Sequence, residues 1–362
     1  MQHSSRSEEE RELRAAMSPD DARRVRLIRD GIRTQSRAFR ARHPWLDRYQ
    51  SELGLLSLLA SASLMVSAAT AFGRGSLPAW LTVLTIAFAC SIAHEVEHDL
   101  IHRMYYPRLP RLRDAMLALG WLMRPSTVNP WIRTRLHLNH HKISGTPEDL
   151  EERAITNGER WGLKRLLMTG DGFLSTTLRL PLDKPRLAWK LFKRGTLAYG
   201  PMAWLYHLCF LTFLFLHFEQ WQGAMTPDME QLMPAADFVA VVWVLPNLLR
   251  TFCLHFISSN IHYYGDVQAG DVLRQTQVVD RWYFLPLQLF CFNFGSTHAI
   301  HHFWVSEPFY LRQLTARAAH QVMREHGVRF NDLATFARAN RYAMAVPVRK
   351  TLMETLTSVA AE

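Results

Sequence analysis

Long apolar stretches constrain the fold of this chain more than any other feature. Residues 53–73, LGLLSLLASASLMVSAATAFG, contain no charged residue. A helix of about 20 such residues crosses the roughly 30 Å hydrocarbon core of a bilayer. Further apolar stretches occupy about 78–93, 195–218 and 235–249, whereas 115–123 is too short to cross and is expected at the interface. Because a span must satisfy its own backbone hydrogen bonds, we predict an all-α integral membrane protein with about four transmembrane helices.

Basic residues are distributed unevenly around these stretches. The chain has 42 Lys and Arg against 32 Asp and Glu, and the basic ones concentrate in the N-terminal 50 residues, in 103–194 and in the C-terminal part. The connections after the first and third stretches contain one Arg between them. The positive-inside rule therefore predicts both termini in the cytoplasm, with a bacterial inner membrane as the expected location. No helix-turn-helix, finger or RNA-binding signature accompanies the basic excess, so no nucleic-acid partner is expected.

The charge pattern divides the chain into three regions. Residues 1–50 are predicted to form a basic cytoplasmic N-terminal region. Residues 51–310 hold the apolar stretches and most of the histidines, and residues 311–362 are predicted to form a cytoplasmic C-terminal tail. The four cysteines show no C-x-x-C spacing, so a rubredoxin-like iron site, a zinc ribbon and a disulfide framework are not expected.

Histidines cluster at or after the ends of the predicted spans. The clusters are HEVEHDLIH (His94, His98, His102), HLNHH (His137, His140, His141), NIHYYGD (His262) and HAIHH (His298, His301, His302). On a helix, positions i, i+3 and i+4 share a face, so each H-x-x-H-H presents three imidazoles to one point. Zinc sites use three or four protein ligands, so eight or nine imidazoles indicate two metal ions. Imidazole suits zinc, copper, iron and nickel alike, so the ligand type does not choose the metal.

The first cluster can be interpreted in two ways. His94 to His98 spells H-E-x-x-H, the zinc-protease signature with Glu95 as general base, whereas His98 and His102 form a plain pair one turn apart. A protease would leave both H-x-x-H-H motifs unused. A metal transporter would place its ligands at mid-span rather than at span ends. His255 stays open as a ligand, and the remaining histidines are interpreted as structural: His3, His43, His207, His217, His320 and His326.

These motifs and their placement resemble the membrane-bound fatty acid desaturase and hydroxylase superfamily, which includes the membrane alkane hydroxylases. HDLIHR is similar to the first histidine box of that family, and HLNHH and HAIHH are similar to the second and third. NIHYYGD resembles the isolated histidine element of alkane hydroxylases. The resemblance covers about residues 50 to 310, favours the second interpretation of the first cluster, and implies nine metal ligands: His98, His102, His137, His140, His141, His262, His298, His301 and His302.

The resemblance also implies an activity and its partners. Family members hold two non-haem iron ions in a helical cap on the cytoplasmic side and use O2 as co-substrate. Two electrons come from a separate carrier, a ferredoxin, rubredoxin or cytochrome with its reductase. The expected reaction removes hydrogen from an unactivated C–H bond of a fatty acyl chain, with desaturation as the leading expectation. Hydroxylation of an alkyl chain and oxidative decarboxylation of a fatty acid to a terminal alkene use the same ligands and stay open.

Charged residues near the boxes give two further expectations. Four carboxylates could accept N–H bonds from the ligating rings and fix their tautomers: Glu95, Glu97, Asp99 and Asp266. Four arginines could hold a carboxylate head group, although all four also fit the positive-inside pattern: Arg103, Arg133, Arg135 and Arg250.

Overall fold

Helices make up most of the computed structural model, which describes residues 17–343. The ten longest are α1 (Pro19–Arg42), α2 (Gln50–Gly73), α3 (Ala79–Ile101), α4 (Pro110–Met123), α5 (Pro130–Ile143), α6 (Pro185–Tyr199), α7 (Met202–Gln222), α8 (Pro227–Ile261), α9 (Phe294–Phe303) and α10 (Phe309–Glu325). Shorter helical segments are Trp45–Arg48, Leu150–Ala154, Leu163–Thr169, Gly172–Thr177, Val272–Gln275, Trp282–Phe284, Leu285–Leu289 and Leu333–Phe336. Within residues 17–343 the only β-pairing is two isolated bridges, His262 with Thr276 and Val278 with Phe330.

Four of these helices are long and apolar enough to cross a membrane, as predicted: α2, α3, α7 and α8. Large apolar side chains on α2 and α7 point outward, with Leu56 and Leu208 both 62% exposed. An apolar exterior of this kind suits lipid rather than water. Helix α3 differs because it packs between α2 and α8, and its last nine residues are all buried. The central span therefore carries the first histidine cluster into the interior of the bundle.

The boundaries of the third span and of the connection after it were predicted wrongly. The stretch 195–218 is divided between α6 and α7, and residues 219–237, predicted as a loop, are largely helical. Thr226 caps the start of α8, where its Oγ1 accepts a hydrogen bond from the backbone N–H of Met229. The polar residues of this segment belong to the ends of α7 and α8. These ends extend beyond the apolar stretches and were therefore not recognised as helical from the sequence. Only residues 223–226 connect the two helices.

Helix α8 is longer than the predicted stretch 235–249 and changes its period inside the span. Ala240–Val244 form a π-helical turn within the otherwise α-helical segment. Pro246, two residues after this turn, has no N–H to donate to the carbonyl four residues earlier, which explains the local departure from α-helical bonding. After this turn the helix continues to Ile261 and delivers His262 at its C-terminal end.

A layer of helices that do not span the bilayer packs around the histidine-bearing ends of α3 and α8. Helix α1 is amphipathic and buries Val25, Ile28 and Ile32 against a core that includes Ile300 of α9 and Met323 of α10. Helix α1 of the predicted N-terminal region and α10 of the predicted C-terminal region therefore both belong to this layer. The three-region division itself stays a prediction.

Candidate metal centre

Four separate parts of the chain bring the nine histidines together. Helix α3 supplies His98, and His102 follows its last residue, Ile101. Helix α5 begins at the cap Asn129, whose side chain accepts from the backbone N–H groups of Trp131 and Ile132, and presents HLNHH along one face. His262 follows the last residue of α8, and α9 presents HAIHH. The structure places all nine of the histidines named from the sequence at one site.

The nine rings divide into two groups. One nitrogen from each ring lies within 4.8 Å of the others in its group, which is close enough for one ion to contact every ring. The larger group is His98, His102, His137, His141 and His301, and the smaller is His140, His262, His298 and His302. Each H-x-x-H-H motif therefore contributes to both groups. His94 and His255 belong to neither.

The nitrogens that face each other are mostly Nε2 atoms. In the larger group, His102 Nε2 lies 3.0 Å from His137 Nε2 and 3.1 Å from His301 Nε2. In the smaller, His302 Nε2 lies 3.2 Å from His298 Nε2 and 3.3 Å from His262 Nε2. A neutral imidazole has one donor and one acceptor nitrogen, so several Nε2 atoms cannot all pair with each other. A cation between the rings accommodates all of these lone pairs.

Carboxylates after the second box fix the orientation of three rings. His137 Nδ1 lies 2.9 Å from Glu151 Oε2, and His140 Nδ1 lies 2.6 Å from Asp149 Oδ2. His262 Nδ1 contacts the carbonyl of Ser258 at 2.9 Å and Glu152 Oε1 at 3.3 Å. An Nδ1–H group bonded in this way leaves Nε2 as the free ligand atom. Burial also lowers the pKa of His102 to about 2 and that of His262 to about 3, so both rings are neutral near pH 7.

The sequence named other carboxylates for this role. Glu95 and Asp99 accept from Arg312 Nη2 at 3.0 and 3.2 Å, so arginine is their main partner, although Asp99 Oδ1 also lies 3.9 Å from His98 Nδ1. Asp99 also accepts from the hydroxyl of Tyr105 at 2.7 Å and the backbone N–H of Phe309 at 2.8 Å. At 3.9 Å the contact between Asp99 and His98 is too long for a hydrogen bond, so neither acid holds the Nδ1 proton of a ring on α3.

The other two named carboxylates are also occupied elsewhere. Glu97 forms ion pairs with Arg124 and, at 2.9 Å, with Arg133 Nη1. Asp266 is exposed and accepts from the backbone N–H groups of Tyr342 and Ala343. The ring partners Asp149, Glu151 and Glu152 were missed, and the only signal for them is the acidic run EDLEE shortly after HLNHH.

The zinc-protease interpretation of H-E-x-x-H does not fit this geometry. That mechanism needs His94 and His98 on one metal, with Glu95 free to act as a base. His94 instead has its Nδ1 3.2 Å from Arg124 Nη1 and lies outside both groups of rings. Glu95 is held by Arg312.

A central cavity adjoins the rings and extends along α8. Its volume is about 90 Å³, and it is lined by both polar and apolar side chains, among them His98, Arg133, Arg250, Leu254 and Phe294. Two of the four arginines named from the sequence, Arg133 and Arg250, therefore face the same cavity as the rings. The other two, Arg103 and Arg135, are exposed and do not line it.

Comparison with known protein families agrees with the four-span fold and the histidine pattern. A family model described as fatty acid desaturase matches residues 74–334, which include all nine histidines. The chain therefore belongs to the fatty acid desaturase family, a family of membrane oxidoreductases of lipid metabolism whose members typically depend on iron. No curated protein matches the sequence.

Proposed function

We propose that this protein is a membrane-bound diiron oxidoreductase that acts on an unactivated C–H bond of a fatty acyl chain, with O2 as co-substrate and desaturation as the reaction. The observation that carries the proposal is the division of nine histidines, seven buried and two half-buried, into a group of five and a group of four, with the ligand atoms of each group within 4.8 Å of one another. Membership of an iron-dependent family favours iron among the metals that imidazole binds. When bound, the iron pair would supply the O2 chemistry.

The side chains of this chain would prepare the site for that chemistry. Asp149, Glu151 and Glu152 hold Nδ1 protons and aim the Nε2 atoms inward. Phe294 stacks on His298 with ring centroids 4.0 Å apart and forms part of the cavity wall. Burial of the rings keeps bulk water away from the reacting carbon, which limits side reactions.

The reaction can be tested with purified protein in lipid nanodiscs. We expect about two irons per chain and, with O2, a ferredoxin and its reductase, conversion of a fatty acid to a product two hydrogens lighter, measured by mass spectrometry. A hydroxylated chain or a terminal alkene as product would support the iron site but would show that the reaction is hydroxylation or decarboxylation instead of desaturation. A single zinc and no O2-dependent product would overturn the proposal.

We also propose that the protein lies in the bacterial inner membrane with both termini and the histidine-bearing ends of the spans in the cytoplasm. The connections 74–78 and 223–226 would then face the periplasm, in agreement with their single basic residue. An Ala224→Cys variant should react with an impermeant maleimide in intact cells. A Gln35→Cys variant, on exposed α1, should react only after permeabilisation. The reverse pattern would contradict this orientation.

A separate electron carrier is proposed to dock on the basic layer that includes α1. Five arginines on this helix are exposed: Arg23, Arg26, Arg33, Arg37 and Arg42. Such a surface would attract an acidic ferredoxin or a similar carrier. Turnover driven by ferredoxin should fall as salt is raised, and should fall at low salt when Arg26 and Arg33 are changed to Glu. Turnover driven by a small chemical reductant should be insensitive to both, and equal sensitivity of the two reactions would argue against docking at α1.

A further inference from the structure

The fully buried arginines differ in how their charge is balanced. Four arginine side chains are less than 2% exposed: Arg124, Arg165, Arg250 and Arg312. Arg124 pairs with Glu97, and Arg312 pairs with Glu95 and Asp99. Arg165 donates from Nη1 to the carbonyl of Glu159 at 2.8 Å and lies 4.0 Å from the ring centroid of Trp161.

Arg250 differs from Arg165 in its position rather than in its pairing, because Arg165 also forms no ion pair within residues 17–343 and its Nε and Nη2 are also without a partner. Arg250 Nη2 donates to the hydroxyl of Thr251 at 2.9 Å, while Nε and Nη1 of Arg250 are buried without a hydrogen-bond partner. In the part of the chain from residue 17 to residue 343, Arg250 forms no ion pair, and its side chain lines the central cavity. A buried charge is costly unless it is paired, and a charged residue within a span normally marks a binding site.

We propose that Arg250 binds the carboxylate of a free fatty acid within the central cavity. This inference rests on the proposed function because it names the substrate of the same site. Around Arg250 the cavity wall offers hydroxyls of Ser126 and Thr251, and Nε2 of His94 is buried without a partner. Apolar side chains such as Leu254 and Phe294 line the same cavity and suit the first part of an alkyl chain.

The charge of the head group distinguishes a free acid from other acyl donors. A guanidinium forms strong charge-assisted hydrogen bonds with a carboxylate, whereas an ester or thioester carbonyl brings no negative charge. The bulky, polyanionic head group of a nucleotide thioester needs a water-exposed position. Arg250 is only 1% exposed. A head group that contacts it must therefore be small and must leave water entirely.

The position of Arg250 also predicts which carbon is oxidised. Two contacts place this part of α8 beside the turn of α3 that holds Cys90 and His94. Asn247 Nδ2 and Cys90 Sγ both donate to the carbonyl of Met123, at 3.0 and 3.3 Å. His94 is one helical turn, about 6 Å, from His98 of the larger group. A carboxylate held here lies only a short length of alkyl chain from the rings, so oxidation occurs close to the carboxyl end.

Binding measured without O2 or reductant tests the carboxylate site independently of turnover. The full-length protein in nanodiscs is dialysed against radiolabelled dodecanoate, with methyl dodecanoate and 1-dodecanol as uncharged competitors. We expect the acid to bind more tightly than the ester, and Arg250→Gln to weaken acid binding by about 10- to 100-fold while leaving 1-dodecanol binding unchanged. Arg250→Lys keeps the positive charge and should retain more acid binding than Arg250→Gln.

Arg165→Gln is the matched control because Arg165 is equally buried but does not line the cavity. It should bind dodecanoate as the unaltered protein does. Equal affinity for acid and methyl ester, or unchanged acid binding in Arg250→Gln, would overturn the carboxylate site even if two irons and O2-dependent oxidation are found. If Arg250→Gln does not fold, the acid-to-ester preference of the unaltered protein decides.

During turnover, a double bond or hydroxyl group near the carboxyl end, or loss of the carboxyl group, would support the predicted position. Oxidation in the middle of the chain would overturn it. Absence of iron and of any product, together with selective acid binding, would instead refute the proposed reaction and leave the carboxylate site standing.

Discussion

His140 and Asp149 make the closest of the contacts between the nine histidines and the carboxylates that orient them, with Nδ1 2.6 Å from Oδ2. Both side chains are 1% exposed. Asp149 also begins the short helix Leu150–Ala154, where its other oxygen, Oδ1, accepts from the backbone N–H of Glu152. One acid therefore holds both a ring of the smaller group and the helix that carries two further ring partners.

Replacing Asp149 by Asn should weaken metal binding at the smaller group. Asn can still cap the short helix, but it removes the negative charge beside His140. Loss of such a partner lowers metal affinity by about 10- to 100-fold. Iron measured per chain after dialysis against a weak chelator should fall from two towards one. Glu148→Gln changes an exposed neighbouring acid and should keep the full iron content; equal iron retention in both variants would contradict the role of Asp149.

His137→Ala should abolish turnover while the protein still inserts into the membrane. Its Nε2 lies 3.0 Å from His102 Nε2 and 3.1 Å from His141 Nε2, so its loss opens the larger group. The expected result is loss of about one iron per chain and of all product. His217→Ala is the control, since His217 is exposed to 41% and contacts only Asp237 among the acids. Near-normal turnover of His137→Ala would remove this residue from the ligands.

Arg312→Gln should destabilise the protein more than any exposed substitution on α10. The change leaves Glu95 and Asp99 buried without a cation and removes the contact of Nη1 with His301 Nδ1 at 2.9 Å. Breaking a buried ion pair from one side costs about 3–5 kcal/mol. Thermal unfolding in detergent should therefore begin at a clearly lower temperature. Arg317→Gln, on an exposed face of the same helix, should unfold as the unaltered protein does.

If Arg312→Gln unfolded at the same temperature as Arg317→Gln, the two acids would be balanced by something other than Arg312. Arg312→Lys separates charge from shape, because lysine keeps the charge but cannot reach Glu95, Asp99 and His301 together through a planar fork. We expect its unfolding temperature to lie between those of the glutamine variant and the unaltered protein.

Two glycine-to-alanine substitutions should have opposite effects on stability. A Cβ on Gly54 of α2 would lie 2.6 Å from the ring of Tyr105, which is fully buried and bonded to Asp99. The overlap costs about 1–3 kcal/mol, which exceeds the helical preference of Ala over Gly of about 0.5–1 kcal/mol. A Cβ on Gly120 of α4 meets only the far end of Arg124 at 3.8 Å, so Gly120→Ala should stabilise. Thermal unfolding of both variants measures the difference, and a stabilised Gly54→Ala would refute the close contact.

Eight of the nine histidines could be predicted from sequence because their spacing is local, whereas His262 was named only through the family resemblance. H-x-x-H-H puts three rings on one helix face, and that relationship survives folding unchanged. Their division into groups of five and four could not be predicted, since each motif contributes to both groups and the division depends on how α5 and α9 face each other. The presence of four spans could also be predicted, because length and apolarity determine it, but the ends of the third and fourth spans could not.

The side chains that orient the histidine rings were much harder to predict from the sequence. Sequence proximity favoured Glu95, Glu97 and Asp99, but on α3 these acids face arginines from distant segments. Arg312 lies beyond residue 310, in the region predicted as a tail, and reaches His301 only because α10 folds back on α9. Contacts of this kind depend on tertiary packing and leave no periodic pattern in the chain.

The π-helical turn Ala240–Val244 has a consequence for every residue of α8 that follows it. Such a turn adds one residue to the helix, and one residue corresponds to about 100° of rotation around the axis. The π-helical turn therefore determines the direction in which Arg250 and His262 point, although it precedes both residues in the helix. A single deletion among these five positions would swing both side chains to another side of the bundle.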